Sequence, residues 1–263
     1  MTAFQNVLIT GASSGIGRAL AEACAAPGVT LHLSGRDPAR LEDVTAACRA
    51  KGATVHLAAL DVRDAHLMEP WIANAAPLDL VIANAGISGG TGRAGQESAD
   101  QTRAIFATNV DGVFNTVLPA IAAMEFQSPG ADGWRGRIAV VASIASFVPA
   151  PQAPAYCAAK AAVDRWTVAS NANLRAKGIL LSSVCPGYVR SNMTARNEFP
   201  MPGLMDADRA AEIILAGLRQ DKTRITFPWW LGLAARFGGL LPPRLLNWLL
   251  VSQPAKQELA EES

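Results

Sequence analysis

Charge is scarce in this chain of 263 residues: Asp, Glu, Lys and Arg make up only 17%, and the formal net charge is +1. No basic block occurs anywhere, which argues against nucleic-acid binding through a charged face. Half of the residues are hydrophobic, which excludes global disorder. Four cysteines (Cys24, Cys48, Cys157 and Cys185) are scattered with no C-x-x-C pair and no neighbouring histidine. That spacing argues against a zinc site and a disulfide framework, and suits a reducing cytoplasm. The opening MTAFQNVLIT has no basic region, long apolar run or small-residue cleavage site, so no secretory signal is expected. Internal repeats and low-complexity linkers are also lacking.

What is present is alternation. Strand-like apolar runs are expected at Asn6–Thr10, Val29–Ser34, Thr54–Ala59, Leu78–Ala83, Gly136–Ala142, Ile179–Val184 and Arg224–Phe227. Helical patterns fall between them, at about Gly15–Ala26, from Pro38, at Arg63–Ala75, Ser98–Phe126, Ala155–Lys177 and Asp206–Gln220. Alternating β and α units imply a seven-stranded parallel sheet with helices on both faces. Right-handed crossovers make it a doubly wound, Rossmann-type α/β fold with ligands at the carboxyl ends of the strands. One domain is the simpler division: a dinucleotide-binding and catalytic part over 1–227, and an apolar extension over 228–263.

The first strand enters Thr10-Gly11-Ala12-Ser13-Ser14-Gly15-Ile16-Gly17 and then a helix. Glycines at such a turn let the backbone approach a pyrophosphate at a helix N-terminus. A glycine-rich turn alone is weak evidence; its strand–turn–helix setting strengthens it. The T-G-x-x-x-G-x-G spacing resembles that of the short-chain dehydrogenase/reductase family. Further motifs follow in that family's order: Asp61-Val62 after the third strand, Asn84-Ala85-Gly86 after the fourth, and Pro186-Gly187 with Val189 and Ser191 after the sixth. The resemblance runs over about residues 5 to 227. It implies that Asp61 lies against an adenine ring, and that Val189 and Ser191 hold a nicotinamide carboxamide. Ser191 stands where the family usually has threonine, keeping the hydroxyl.

The second strand ends Ser34-Gly35-Arg36-Asp37. An acidic residue there binds ribose hydroxyls in NAD enzymes, whereas an arginine accommodates a 2′-phosphate. Gly35 takes the place of such an acid and Arg36 follows, so NADP(H) is expected over NAD(H). Asp37 precedes Pro38 and reads as a helix cap.

Tyr156 and Lys160 stand four residues apart, on one face of a helix. A phenol with pKa near ~10 is poorly matched to neutral pH, and a nearby ammonium stabilises its phenolate. Ser143, ending the fifth strand, can hydrogen-bond a substrate oxygen as charge develops. Asn109, in an N-x-x-G, matches the family residue that holds a water linking Lys160 to solvent. The resemblance thus implies an oxidoreductase that interconverts carbonyl and alcohol by hydride transfer, with Tyr156 as acid/base. Each motif alone has a structural reading: Y-x-x-x-K is common on solvated helices, and a serine after a strand is often a cap. Joint occurrence in the family's order outweighs these. His32, His56 and His66 are expected to be structural. Cys157 is expected to pack on the side of the helix turn away from Tyr156, its proximity leaving alkylation as a route to inhibition.

The resemblance puts a substrate lid at about 188–206, where proline, glycine and methionine suggest an adaptable apolar cover and a hydrophobic ketone or aldehyde substrate. The segment 228–251 then carries Trp229, Trp230, Phe237 and Trp248 among leucines, interrupted by Arg236, Pro242-Pro243 and Arg244. No uncharged stretch in it reaches the ~18 residues of a membrane span. Two short amphipathic helices are expected, serving as a membrane-interface contact on the inner face of a membrane, a homo-oligomer interface, or a flap over the substrate mouth. Two other functions compete: an NAD-dependent alcohol dehydrogenase, and a non-catalytic NADP(H)-sensing regulator. Such a regulator would usually lack the tyrosine or the lysine.

Overall fold

A computed structural model describes residues 4–92, 95–195, 197, 199–250 and 256–259. Arg196 and Glu198 of the expected lid and Val251 of the apolar segment lie outside the described residues. Seven strands form one parallel sheet: β1 Asn6–Thr10, β2 Thr30–Gly35, β3 Thr54–Ala59, β4 Leu80–Ala83, β5 Gly136–Val141, β6 Ile179–Pro186 and β7 Arg224–Phe227. Their spatial order is β3-β2-β1-β4-β5-β6-β7. The order reverses between β1 and β4, and ligand sites of open α/β sheets form at such a switch point.

The helices are α1 Gly15–Cys24, α2 Pro38–Ala50, α3 Ala65–Ala75, α4 Ala99–Phe106, α5 Gly112–Glu125, α6 Pro154–Ala176, the single turn α7 Asn192–Ala195, α8 Ala207–Arg219, α9 Trp229–Gly238 and α10 Pro243–Leu250. Their starts follow local chemistry. The Asp37 carboxylate accepts from Arg40 N at 3.1 Å and caps α2 as expected, and Asp64 caps α3 through His66 N and Leu67 N. Strand side chains alternate between two cores. Val7, Ile9, Leu80 and Ile82 join Leu20, Leu41, Ile214 and Leu218 of α1, α2 and α8. Leu8, Val81, Ile138 and Val140 join Met68, Ile72, Val113, Val117 and Val163 of α3, α5 and α6 on the other face. Each fully buried leucine or isoleucine contributes about 1.5–3 kcal/mol; Leu8→Ala, at the sheet centre, should cost ~2–5 kcal/mol with its cavity included.

One expected helix differs. The run Ser98–Phe126 is broken by a π-helical turn over Ala107–Asp111, which contains Asn109. Such a turn carries an extra residue and often marks a functional site. The whole rod, 99–125, is long and apolar enough to cross a membrane, but α5 packs on the sheet through Val113, Val117 and Ala120.

Helix α6 is fixed to the sheet by polar anchors. Asp164, 2% exposed, accepts from Arg224 Nε at 3.0 Å and Nη2 at 2.8 Å, and from the Ser183 hydroxyl at 2.6 Å. The Asn171 side chain accepts from Leu181 N and donates to Thr223. Truncating one member of a buried charge pair leaves the other uncompensated, so these contacts hold α6 in register with β6 and β7.

Candidate active site

The loops after the strand ends enclose a cavity of about 770 Å³. On one side lie Gly11, Ser13, Ser14, Gly15 and Ile16, with Arg36, Asp61 and Val62 beyond. Asn84, Ala85 and Gly86 also line the cavity, as do Ser143, Tyr156, Lys160, Pro186, Gly187, Val189 and Ser191. Of the residues expected at the site, only Gly17 and Asn109 do not line the cavity. Both support it from behind.

Gly11 has φ +65°, and a Cβ there would lie 2.8 Å from Ala85 Cα. A Cβ on Gly17 would stand 2.3 Å from the Gly11 carbonyl oxygen. The turn therefore tolerates no side chain at either position. Asn84 ties the same turn to β4, its Nδ2 donating to Thr10 O at 3.1 Å and Gly11 O at 3.0 Å. The Thr10 hydroxyl accepts from Asn84 N and Ala85 N. Thr10 is thus a turn-supporting residue that the sequence reading quoted without assigning it a role.

Asn109 is fully buried. Its Oδ1 accepts from Ile87 N and its Nδ2 donates to Ile87 O, both at 2.8 Å. A Cβ on Gly86 would meet Asn109 Oδ1 at 3.1 Å and Lys160 Nζ at 3.4 Å. That glycine lets the amide and the ammonium share one small space. Lys160 Nζ donates to Val141 O at 2.7 Å and lies 5.9 Å from the centre of the Tyr156 ring.

Burial pushes the Tyr156 phenol up to about 12, with the Ser143 hydroxyl pulling the other way. Burial also drops the Lys160 ammonium to about 8. Desolvation is the largest influence on both groups. Ser143 Oγ accepts from Ala145 N at 3.1 Å, capping the short turn Ile144–Phe147. Its hydroxyl hydrogen points to the Tyr156 phenol oxygen, the contact that pulls that phenol down. Burial alone would raise the Asp61 carboxyl, but three hydrogen bonds from Arg63, one from its backbone N and two from its guanidinium, hold it below the usual range, with Arg36 adding to the effect.

A chain whose glycine turn, Tyr156, Lys160 and Ser143 converge this way can hold a dinucleotide and move a proton beside it. The comparisons agree. A family model described as "short chain dehydrogenase" matches residues 5–200.

This chain belongs to the short-chain dehydrogenase/reductase family.

An uncharacterized oxidoreductase of Myxococcus xanthus is 34% identical over 248 residues, covering 93% of this chain and 95% of the relative. A short-chain dehydrogenase from Sphingobium yanoikuyae, solved in complex with NADPH, is 26% identical with a TM-score of 0.77, covering 98% and 99% of the two chains. A Burkholderia phymatum short-chain dehydrogenase/reductase in complex with NAD is 23% identical with a TM-score of 0.79 over the full length of both. The fold expected from the sequence is that of the family.

Two features of this dehydrogenase/reductase differ from the sequence reading. Cys157 is buried yet lines the cavity with Tyr156. Lys256 also lines the cavity, and nothing in its sequence context, QPAKQEL, points to a site. His32, His56 and His66 are absent from the lining, and among the described residues no cluster of His, Cys, Asp or Glu could hold a metal.

Proposed function

We propose that this protein is an NADP(H)-dependent reductase that interconverts a hydrophobic ketone or aldehyde and its alcohol. The carrying observation is one cavity in which Tyr156, Lys160 and Ser143 stand between a glycine turn flanked by Arg36 and an apolar chamber. That chamber is lined by Phe199, Leu231, Ala234, Leu246 and Leu249.

The turn residues fit a dinucleotide because the cradle at Gly11 and Gly17 would be filled by any Cβ. At Gly35 a Cβ would lie 3.2 Å from Ser13 Oγ, so an acidic side chain there would crowd the turn. Arg36, on the cavity wall, offers a guanidinium for a phosphate instead. When bound, the nicotinamide supplies or accepts the hydride. Tyr156 gives its proton to the substrate oxygen, Ser143 donates a hydrogen bond to that oxygen, and Lys160 stabilises the phenolate left behind. Asn109 keeps the Ile87 backbone in place beside Lys160, where a water can link the ammonium to solvent.

Helices α9 and α10 serve as a flap over the chamber, which their inner residues line. Their outward residues Trp229, Phe237 and Trp248, with Leu240 in the turn between them, stay exposed, and in this reading a second copy of the chain covers them. Four free thiols suit a reducing cytoplasm.

The test is NADPH oxidation with ketones and aldehydes of increasing chain length, with Tyr156→Phe beside the wild type. Turnover should rise with chain length and fall by ~10²–10⁴ in the variant, with NADPH binding retained. A variant within about tenfold of wild type would remove Tyr156 from the chemistry.

A further inference from the structure

Residues 256–259 pair with the segment after β4, and Lys256 lines the cavity. Gly90 N donates to Gln257 O and Gly92 N to Lys256 O, both at 2.9 Å. Leu259 N donates to Gln101 Oε1 at 2.7 Å, while Gln101 Nε2 donates to Gly90 O at 2.9 Å. Leu259 packs on the buried patch of Ile105, Ala155 and Ala159. These backbone and apolar contacts fix the segment without using the Lys256 side chain, which is turned into the cavity.

There the Lys256 ammonium lies 5.1 Å from the centre of the Tyr156 ring and donates to Ser88 Oγ. No carboxylate among the described residues pairs with it. Glu97 gives one oxygen to Ala155 N at 2.9 Å, and Glu258 is exposed beside Gly92. A neutral hydroxyl and an aromatic face leave ammonium protons without a strong acceptor. Holding an unpaired charge in an apolar chamber is costly, and an incoming anion removes that cost. Burial lowers this ammonium to about 8, and a bound anion would favour its charged form again.

We propose that Lys256 is a specificity-determining residue that binds a carboxylate on the substrate, making apolar keto acids and the matching hydroxy acids the preferred substrate class. Its closeness to the Tyr156 ring puts the carboxylate a few bonds from the reacting carbonyl. The apolar chamber takes the rest of the molecule. This inference rests on the carbonyl-reductase reading for the reaction, but its recognition step can be measured without turnover.

The experiment uses the full chain loaded with NADP⁺, titrated calorimetrically with benzoylpropionate and with its methyl ester. Wild type should bind the acid at least about tenfold more tightly, and Lys256→Met should bring the two within about twofold. Lys256→Arg should keep most of the preference. Lys256→Gln, uncharged and of similar length, carries the same test should the methionine variant not fold. Equal binding of acid and ester by wild type overturns the proposal, as does a preference that persists in the uncharged variants. Acid preference with neither compound reduced by NADPH would overturn the reductase reading alone. Reduction of both compounds with equal affinities would overturn the carboxylate inference alone.

Discussion

Lys160 and Tyr156 share one face of α6, the ammonium 5.9 Å from the ring centre and hydrogen-bonded to the Val141 carbonyl. Burial holds Lys160 near 8 and Tyr156 near 12. The phenol is therefore protonated throughout the neutral range and ready to act as an acid. The ammonium that would stabilise its conjugate base is lost as pH rises through about 8. kcat/KM for carbonyl reduction, which reports the free enzyme, should decline above that pH. Lys160→Met should lower it by roughly 10²-fold or more and flatten the decline. The same substitution should not destabilise the protein at neutral pH. A lysine whose folded pKa lies below its unfolded value makes stability rise with pH between the two, so at neutral pH its charge opposes folding. A decline that survives in Lys160→Met would assign that titration to another group.

The architecture was legible because both of its signals are local. Buried strands such as Asn6–Thr10 are short apolar runs, and the motifs that end them need particular residue types. The π turn around Asn109 was not legible. One extra residue in a helix leaves the apolar periodicity of 98–126 almost unchanged, and Asn109 shows its role only through its bonds to Ile87. The direction of Cys157 failed for a different reason. Helical spacing tells which residues share a face, but not that residues of α9 and α10 line the same cavity as Cys157. Lys256 gave no signal at all, since its placement depends on backbone pairing with Gly90 and Gly92, far away in sequence.

In the proposed NADP(H)-dependent reading, Arg36 discriminates between the cofactors. A charge-assisted hydrogen bond contributes about 1.5–3 kcal/mol, so Arg36→Ala should weaken NADPH binding by roughly 10- to 100-fold and leave NADH binding nearly unchanged. Fluorescence titration of both cofactors against both proteins measures this directly. An unchanged NADPH/NADH ratio would remove Arg36 as the discriminating residue.

The outward face of α10 and of the turn that precedes it exposes 80% of Leu240 and 71% of Trp248. If a second copy covers this face, Leu240→Lys combined with Trp248→Lys should reduce the mass in analytical ultracentrifugation to that of one chain. Sedimentation with anionic vesicles should then be equally low for both proteins. A single-chain wild type that sediments with vesicles, beside a variant that does not, would make the face a membrane contact instead.

At the far edge of the sheet, His32 and His56 occupy paired positions on β2 and β3. Their rings stack with centroids 5.1 Å apart and planes 18° apart. Burial, followed by the charge of His56, lowers His32 from 6.5 to about 4. Between those values the unfolded chain binds more protons than the folded one, so stability rises with pH across that window. The contribution is complete above 6.5 and is lost as pH falls towards 4. The thermal midpoint should therefore drop on acidification through this range, and more steeply in wild type than in His32→Asn. At this chain length each kcal/mol of difference shifts the midpoint by about 2–4 °C. Calorimetric scans of both proteins at matched pH values measure the two slopes. Identical slopes would mean that His32 does not set the acid sensitivity in this window; Asp61 and Asp132, held below 3.8 by arginine, lose their contribution only at lower pH.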